Sequence, residues 1–397
     1  MRRWNTDFRF SEQQEEFRQE VRGFLQKELT PDFLREFGGS PPAYLAYSPE
    51  FTRKLAQKGW LGIGWPKEWG GQGRPYMEQL VYNEELGYHG APIGCHFLAE
   101  TIVGPTLMSV GSPEQKKEYL PRILAGEITF CLGYTEPGAG SDLASLQTHA
   151  VVKEDGYVVT GQKMFITLAQ HAHYCLLAAR TNPDAPKHRG ISLFIVDMKT
   201  RGITVRPTST IGDMVVNDIF FDDMHIPKTA LVGELNQGWH YLGIALDYER
   251  AFSAAAPAYL RRTFEELIRY AKETGRNDRP LCREPKVRYK LAQLAIELEV
   301  GRMLGYQVAW LLDRGGVPFH EASISKVFIS ELERRLTSIG MEIVGLYGQL
   351  REGCKWAALG GQMERAYQIA FMGTIGGGTS EIQRSIIAIV GLGLPRQ

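Results

Sequence analysis

The sequence predicts an α+β protein made of three successive zones: helical, strand-rich, then helical again. Apolar residues recur at helical spacing from residue 11 to about residue 126, alternate along short runs between residues 129 and 227, and return to helical spacing after Gly238. Helices, then strands, then helices is the order expected of a chain with a segregated sheet.

The first zone opens with a capping box, Ser11 with Gln14 three positions on, ahead of Phe17, Val21 and Leu25. Ser112-Pro113-Glu114-Gln115 is a second start signal, with a capping serine, a first-turn proline and a glutamine at the third position. Between them, Gly62-Ile63-Gly64-Trp65-Pro66 and Trp69-Gly70-Gly71-Gln72-Gly73 read as a turn-rich connection. In the middle zone, residues 150–159 read as two strands around an Asp155-Gly156 hairpin turn. Residues 191–196, 203–205 and 219–221 read as further strands divided by Gly, Pro and Asp. In the last zone Leu294, Leu298, Gly301, Leu304, Gly305, Val308 and Leu311 are spaced to line one helix face.

A chain of 397 residues suggests two or three packed units, and the changes of period divide it at 1–127, 128–232 and 233–397. With 45 Lys+Arg against 45 Asp+Glu, no net field draws it to nucleic acid or to an anionic membrane. The five cysteines, Cys95, Cys131, Cys175, Cys282 and Cys354, show no C-x-x-C spacing for a metal or a dithiol, and are expected to be buried, reduced thiols. Met1-Arg2-Arg3-Trp4 leads into a polar stretch, and no apolar run is long enough to span a bilayer. A cytoplasmic protein without a metal site is expected.

Three segments can carry chemistry. Pro137, Gly138 and Gly140 let residues 136–142 turn tightly and present amide N–H groups, either as a plain connection into the sheet or as a cradle for a phosphate or the polar edge of a cofactor. Phe165 either packs in a strand core or covers a bound ring, with the Thr167 hydroxyl as a nearby donor. Leu246-Asp247-Tyr248-Glu249-Arg250 is either a solvated charged patch on a helix or the site of a general base. On that helix Phe252, Ser253 and Ala256 share the Glu249 face, a mostly small wall that raises a carboxylate's proton affinity by keeping water sparse.

Thr135-Glu136-Pro137-Gly138-Ala139-Gly140-Ser141-Asp142, then Gly161-Gln162-Lys163-Met164-Phe165-Ile166-Thr167, then Gly378-Thr379-Ser380-Glu381-Ile382-Gln383-Arg384 follow one another in this order. With these motifs the chain resembles the acyl-CoA dehydrogenases over nearly its whole length. The resemblance implies an N-terminal helical domain, a middle β-domain and a C-terminal domain like a four-helix bundle. It implies FAD as cofactor, an acyl-CoA thioester as substrate and an electron-transfer flavoprotein as acceptor. Leu132, Tyr134 and Thr135 would lie along the flavin ring, Gly140 and Ser141 near the pyrophosphate and the thioester, and Phe165, Ile166 and Thr167 over the ring. Thr379 and Glu381 would also border the cofactor, with Glu136 and Glu381 in structural or cofactor-proximal roles. Ser141, Asp247, Tyr248, Arg250, Gly377 and Gly378 would border the substrate.

Members of the family often carry their glutamate base where this chain has Gly377, whereas some branches place it at the start of a C-terminal-domain helix, and Glu249 matches that alternative. Gly377 would then keep only its backbone N–H, a donor to the thioester oxygen. The chain departs from the family pattern at Phe165, often tryptophan, and at Leu168, commonly asparagine. Where homotetrameric members carry Arg-x-x-Phe-Gly and a later Gln toward the adenine end, it reads Thr274-Gly275-Arg276-Asn277-Asp278-Arg279-Pro280-Leu281 and then Pro285. Where they carry Gln-x-x-Gly-Gly it reads Glu342-Ile343-Val344-Gly345-Leu346, with a charge that opposes a pyrophosphate by about 1 kcal/mol.

Two assemblies fit these departures: a heterotetramer, in which a related subunit supplies the adenine site as in bacterial members acting on sterol side-chain thioesters, or a homo-oligomer with rewritten contacts. Two other functions share the fold. One is a non-catalytic partner subunit, and the other is an acyl-CoA oxidase.

Overall fold

The computed structural model describes residues 9–37, 46–252, 257–276 and 279–396, leaving out the side chains of residues 246–252 and of Arg276. Both capping boxes form. Ser11 accepts from the Gln14 N–H and starts α1 (Glu12–Glu28), followed by α2 (Pro31–Arg35) and α3 (Pro49–Gln57). The turn-rich stretch leads to α4 (Tyr76–His89), α5 (Gly94–Leu98), a π-turn over Ala99–Val103 and α6 (Gly104–Val110). Ser112 caps α7 (Pro113–Leu124). Phe17, Val21 and Leu25 pack with Phe51, Leu55, Trp60 and Tyr82 in the core of these helices.

The middle zone is one mixed sheet of β1 (Phe130–Gly133), β2 (His149–Val152), β3 (Gly156–Thr167), β4 (Tyr174–Arg180), β5 (Ile191–Asp197), β6 (Ile203–Ser209), β7 (Val215–Pro227) and β8 (Leu231–Val232). Its order is β6-β7-β3-β2-β4-β5-β8, and β1 joins β4 in parallel. The expected hairpin pairs Val152 with Tyr157, but its turn differs from the Asp-Gly expectation. The Lys153 N–H donates to the Gly156 carbonyl at 2.8 Å, and a side chain at Gly156 would collide with the Ile226 carbonyl of β7. Close packing, not a left-handed turn, requires that glycine. Strands β4 and β5 are buried on both faces and so lack the alternation of half-exposed strands.

One face of the sheet packs on α6, α7 and the helix after it through Leu107, Ile123, Leu176, Leu193 and Leu242. The last zone holds α8 (Gly238–Phe252), α9 (Pro257–Glu273), a short pair β9 (Gly275–Arg276) and β10 (Arg279–Pro280), α10 (Pro285–Asp313), α11 (Phe319–Val344), α12 (Gln362–Gly373) and α13 (Ser380–Ile386). Helices α9–α12 bury Leu267, Leu294, Leu298, Leu332, Leu336 and Met363 together. Of the seven positions expected on one α10 face, five are buried and Leu304 and Leu311 are half-buried. A second apolar stripe on that helix, Tyr289, Ile296, Val300, Met303 and Trp310, is exposed.

Cys95, Cys131 and Cys175 are buried thiols as expected, while Cys282, in a single 3-10 turn at the edge of the C-terminal core, is half-buried and Cys354, on a connection between helices, is exposed. Among the described residues no helix is long and apolar enough to cross a membrane.

Candidate active site

Strand β1 delivers the chain to the segment 134–142, and β3 runs beside it. Three bonds fasten the two motifs. The Met164 N–H donates to the Thr135 carbonyl at 2.9 Å, and the Lys163 ammonium donates to the Tyr134 carbonyl at 3.0 Å and to the Glu136 carboxylate at 2.8 Å. Glu136 also accepts from the N–H groups of Gln147 at 2.5 Å and Thr148 at 2.9 Å. Burial alone would raise the Glu136 carboxyl, but Lys163, Gln147 and Thr148 together hold it below its ordinary range. Burial lowers the Lys163 ammonium against the pull of Glu136. Glu136 is thus a structural carboxylate, and Lys163, fully buried, is a residue whose role the sequence reading missed.

The front of this unit is open. Nothing lies within 4 Å of where side chains would stand on Gly138 and Gly140, and Ser141 is exposed beside them. Leu132, Thr135 and Thr167 are half-buried at its edge. Tyr134 and Ile166 are core side chains, leaving only their main chain for a ligand.

Phe165 does not pack in the strand core. The β3–β7 register shifts between Lys163 and Ile166, Phe165 takes φ 59°, and the residue is 58% exposed. A bulge re-aims a side chain in this way, and a left-handed phenylalanine is uncommon enough to point to function. Asn217 braces the bulge, donating to the Ile166 carbonyl at 3.0 Å. Leu168 is left-handed too, at φ 55°, where an asparagine would fit at about 1 kcal/mol less strain.

The third motif follows α12. Gly377 and Gly378 have φ 65° and 85°, so two successive left-handed residues make the turn. Gln383 Nε2 donates to the Gly377 carbonyl at 2.8 Å and Lys326 Nζ of α11 to the Gly378 carbonyl at 2.7 Å. Both carbonyls are engaged, while the Gly377 N–H has no acceptor among the described residues. Thr379 caps α13, and Glu381 is exposed in its first turn.

Glu249, Asp247, Tyr248 and Arg250 lie on α8, with their side chains outside the described residues, as are Ser253 and Ala256 altogether. Helix α8 is anchored at its start, where Gly238 packs on Ser192 of β5, and it packs against the π-turn and α11. Helix α11 therefore carries both α8 and the Gly378 turn. On the π-turn side sit two polar residues that sequence reasoning missed, His96 and Glu100. Burial lowers His96 to about 4 and raises Glu100 to about 7, the latter against a 2.7 Å hydrogen bond from the Gly62 N–H. His-x-x-x-Glu spacing on one helix face was the available signal.

Toward the expected adenine end, Glu342 is exposed and ion-paired with Lys290, so the charge expected to oppose a pyrophosphate is already balanced. Asn277 and Asp278 lie outside the described residues.

Two helical zones thus flank a sheet, with a glycine-lined cradle and an out-turned aromatic at its edge. Family models of the acyl-CoA dehydrogenase N-terminal, middle and C-terminal domains match residues 11–127, 131–224 and 236–392. Acyl-CoA dehydrogenase FadE26 of Mycobacterium tuberculosis is 39% identical over 398 residues, covering 98% of both chains. Two solved structures superpose on nearly the whole chain. The Tcur3481-Tcur3483 steroid ACAD has a TM-score of 0.92 at 37% identity, covering 99% of this chain and 100% of its own. The ChsE4-ChsE5 complex from Mycobacterium tuberculosis has a TM-score of 0.90 at 38% identity, with the same coverage. The chain belongs to the acyl-CoA dehydrogenase family and is an enzyme of that fold.

Proposed function

We propose that the protein is an FAD-dependent acyl-CoA dehydrogenase that converts an acyl-CoA thioester to its trans-2-enoyl-CoA, with Glu249 as the base. The observation that carries this reading is the open cradle of Gly138, Gly140 and Ser141, locked to an exposed, left-handed Phe165. Its residues suit FAD: glycines leave room for close backbone approach, Phe165 and Leu132 offer apolar cover, and Thr135 and Thr167 offer hydroxyls. FAD, when bound, supplies the acceptor for the β-hydride. Glu249 takes the α-proton from the opposite face. Charge that grows on the thioester oxygen meets the Gly377 N–H, in a turn whose next two carbonyls, those of Gly377 and Gly378, are engaged. Tyr248, Asp247 and Arg250, from the same helix, border the thioester.

Anaerobic bleaching of the flavin band by acyl-CoA thioesters of graded length tests the assignment. Glu249→Gln is expected to slow reduction about 10²–10⁴-fold while keeping its flavin. Reduction at the wild-type rate would remove Glu249 from the role. Reoxidation by an electron-transfer flavoprotein rather than by oxygen separates dehydrogenase from oxidase.

The rewritten adenine-side motifs favour a second element of the reading, a heterotetramer whose related subunit supplies the adenine contacts, acting on a steroid-derived thioester in the cytoplasm. Similarity to a steroid ACAD and to a two-component complex supports it. Flavin bound only after co-expression with a homologous subunit is the expected result, and a yellow protein from this chain alone would favour the homo-oligomer. The domain divisions proposed are 1–127, 128–232 and 233–397.

A further inference from the structure

A partly open cavity of about 70 Å³ lies among the C-terminal helices, lined by the end of α4 and by α9, α11 and α12. Its lining is mixed. Leu260, Met363 and Ile369 are among the apolar residues, and Glu333, Thr337 and Tyr259 among the polar ones. Glu333 is 5% exposed, has no ion-pair partner among the described residues, and accepts from the Tyr259 hydroxyl. Burial pushes its carboxyl up to about 7, so near neutral pH the acid form is well populated and offers an O–H donor beside a carbonyl acceptor. The charged groups at the cavity margin are Arg262, Glu266 and Arg365, and Arg262 is paired with Glu266 at 3.3 Å.

Two chain connections lead from this cavity toward the proposed reaction centre. Helix α9, whose first turns line it, is the next helix after the one that carries Glu249. A side chain at Gly373 would stand 2.9 Å from Glu333 Oε2, and Gly373 ends the helix that leads into the Gly377 turn. The space holds about two water-sized groups, enough for one oxygen and the carbon that bears it but not for a chain segment. The Tyr259 hydroxyl is one partner for this buried acid, and a polar ligand atom in the cavity would supply a second.

We infer that this cavity is a terminal subsite for acyl groups that carry a hydroxyl or keto oxygen at their far end, with Glu333 as the specificity-determining hydrogen-bond partner and Tyr259 as its positioning residue. The inference rests on the acyl-CoA reading and deepens it. A purely aliphatic terminus would leave Glu333 without a ligand partner, whereas an oxygen there can accept from the acid or donate to it.

Paired probes test it: saturated fatty acyl-CoA thioesters of graded length and their ω-hydroxy counterparts. Binding is measured by calorimetry on the flavin-loaded Glu249→Gln protein, which holds thioesters without turning them over, and kcat and KM are measured on the otherwise unaltered enzyme. At the length that reaches the cavity, the ω-hydroxy thioester is expected to bind at least about tenfold more tightly, with the difference in KM rather than kcat. Glu333→Leu should abolish or reverse that preference while the aliphatic thioester binds as well or better. Glu333→Gln, which keeps a donor and an acceptor, should retain most of it, and remains a test if the leucine variant does not fold. Equal binding of the paired thioesters at every length, or an unchanged preference in Glu333→Leu, would overturn the subsite alone. Failure of all thioesters to bind would overturn the acyl-CoA reading and the subsite with it.

Discussion

Replacing Lys163 by methionine should be among the most damaging single changes in the sheet domain. Its ammonium is fully buried and meets Glu136 at 2.8 Å, and the Glu136 carboxylate is itself buried with neutral donors from Gln147 and Thr148 besides. Methionine fits the volume and removes the charge, so the loss is that of leaving a carboxylate uncompensated, about 3–5 kcal/mol. Glu136→Gln leaves the ammonium stranded and should cost a similar amount. The double variant, with no charge left to strand, should be more stable than either single one, a coupling of about 2 kcal/mol or more. Urea unfolding followed by tryptophan fluorescence, near neutral pH and at fixed protein and flavin concentration, reads all four corners of this cycle. Because the pair pins the segment that ends at the cradle, flavin content should fall with stability in both single variants. A Lys163→Met protein within about 1 kcal/mol of wild type, or a double variant worse than the sum of its parts, would show that the pair does not hold the two motifs together.

Phe165→Ala should leave stability within about 0.5 kcal/mol, since the ring is exposed, yet weaken flavin binding about fivefold if the ring covers the cofactor, as fluorescence titration would show. A large loss of stability with unchanged flavin affinity would make Phe165 structural instead. Glu85 offers a pH test. Burial would raise it, but His89, Arg22 and Arg18 together hold it down at about 2, below its unfolded value near 4.5. Its contribution is therefore present above pH 4.5 and lost as pH falls toward 2. Glu85→Gln should cost about 2 kcal/mol near neutral pH after allowance for screening, and the gap from wild type should close in thermal melts between pH 4.5 and 2. A gap that stays constant over that range would mean the ion cluster contributes nothing net.

What the sequence made legible follows from which interactions are local. Capping boxes at Ser11 and Ser112 involve residues three apart, and both formed as read. Turn residues at their ends marked β5, β6 and β7, but β4 has neither such bounds nor alternation to read, because helices cover one face and the remaining strands' core the other. Lys163 and Glu136 are 27 residues apart and meet only because β3 runs beside β1's exit, so the ion pair was out of reach of any local rule. Phe165 read as strand core, the commoner fate of a phenylalanine, or as cofactor cover, and the β-bulge turns it out of the core. The exposed stripe on α10 was hidden for another reason. Both faces of that helix are apolar, and a periodicity argument takes the more regular one.

The turn at Gly377 and Gly378 shows why a carboxylate base and this backbone are better separated. Both residues sit at left-handed φ, 65° and 85°, a conformation that costs a side chain about 1 kcal/mol and glycine almost nothing. A glutamate at 377 would have to pass that strain into its own aim, since Gln383 and Lys326 already fix the carbonyls on either side of the Gly378 nitrogen. With glycine, the turn is relaxed and the two hydrogen bonds serve only to orient main-chain donors. On the proposed reading the carboxylate works instead from α8, a helix anchored at β5 and packed on α11, so base and oxyanion donor are both referred to α11 and can be altered independently. That independence is itself measurable: Gly377→Ala should weaken stability and thioester polarisation together, whereas Glu249→Gln should leave the carbonyl stretch of a bound thioester in difference infrared spectra at its wild-type position.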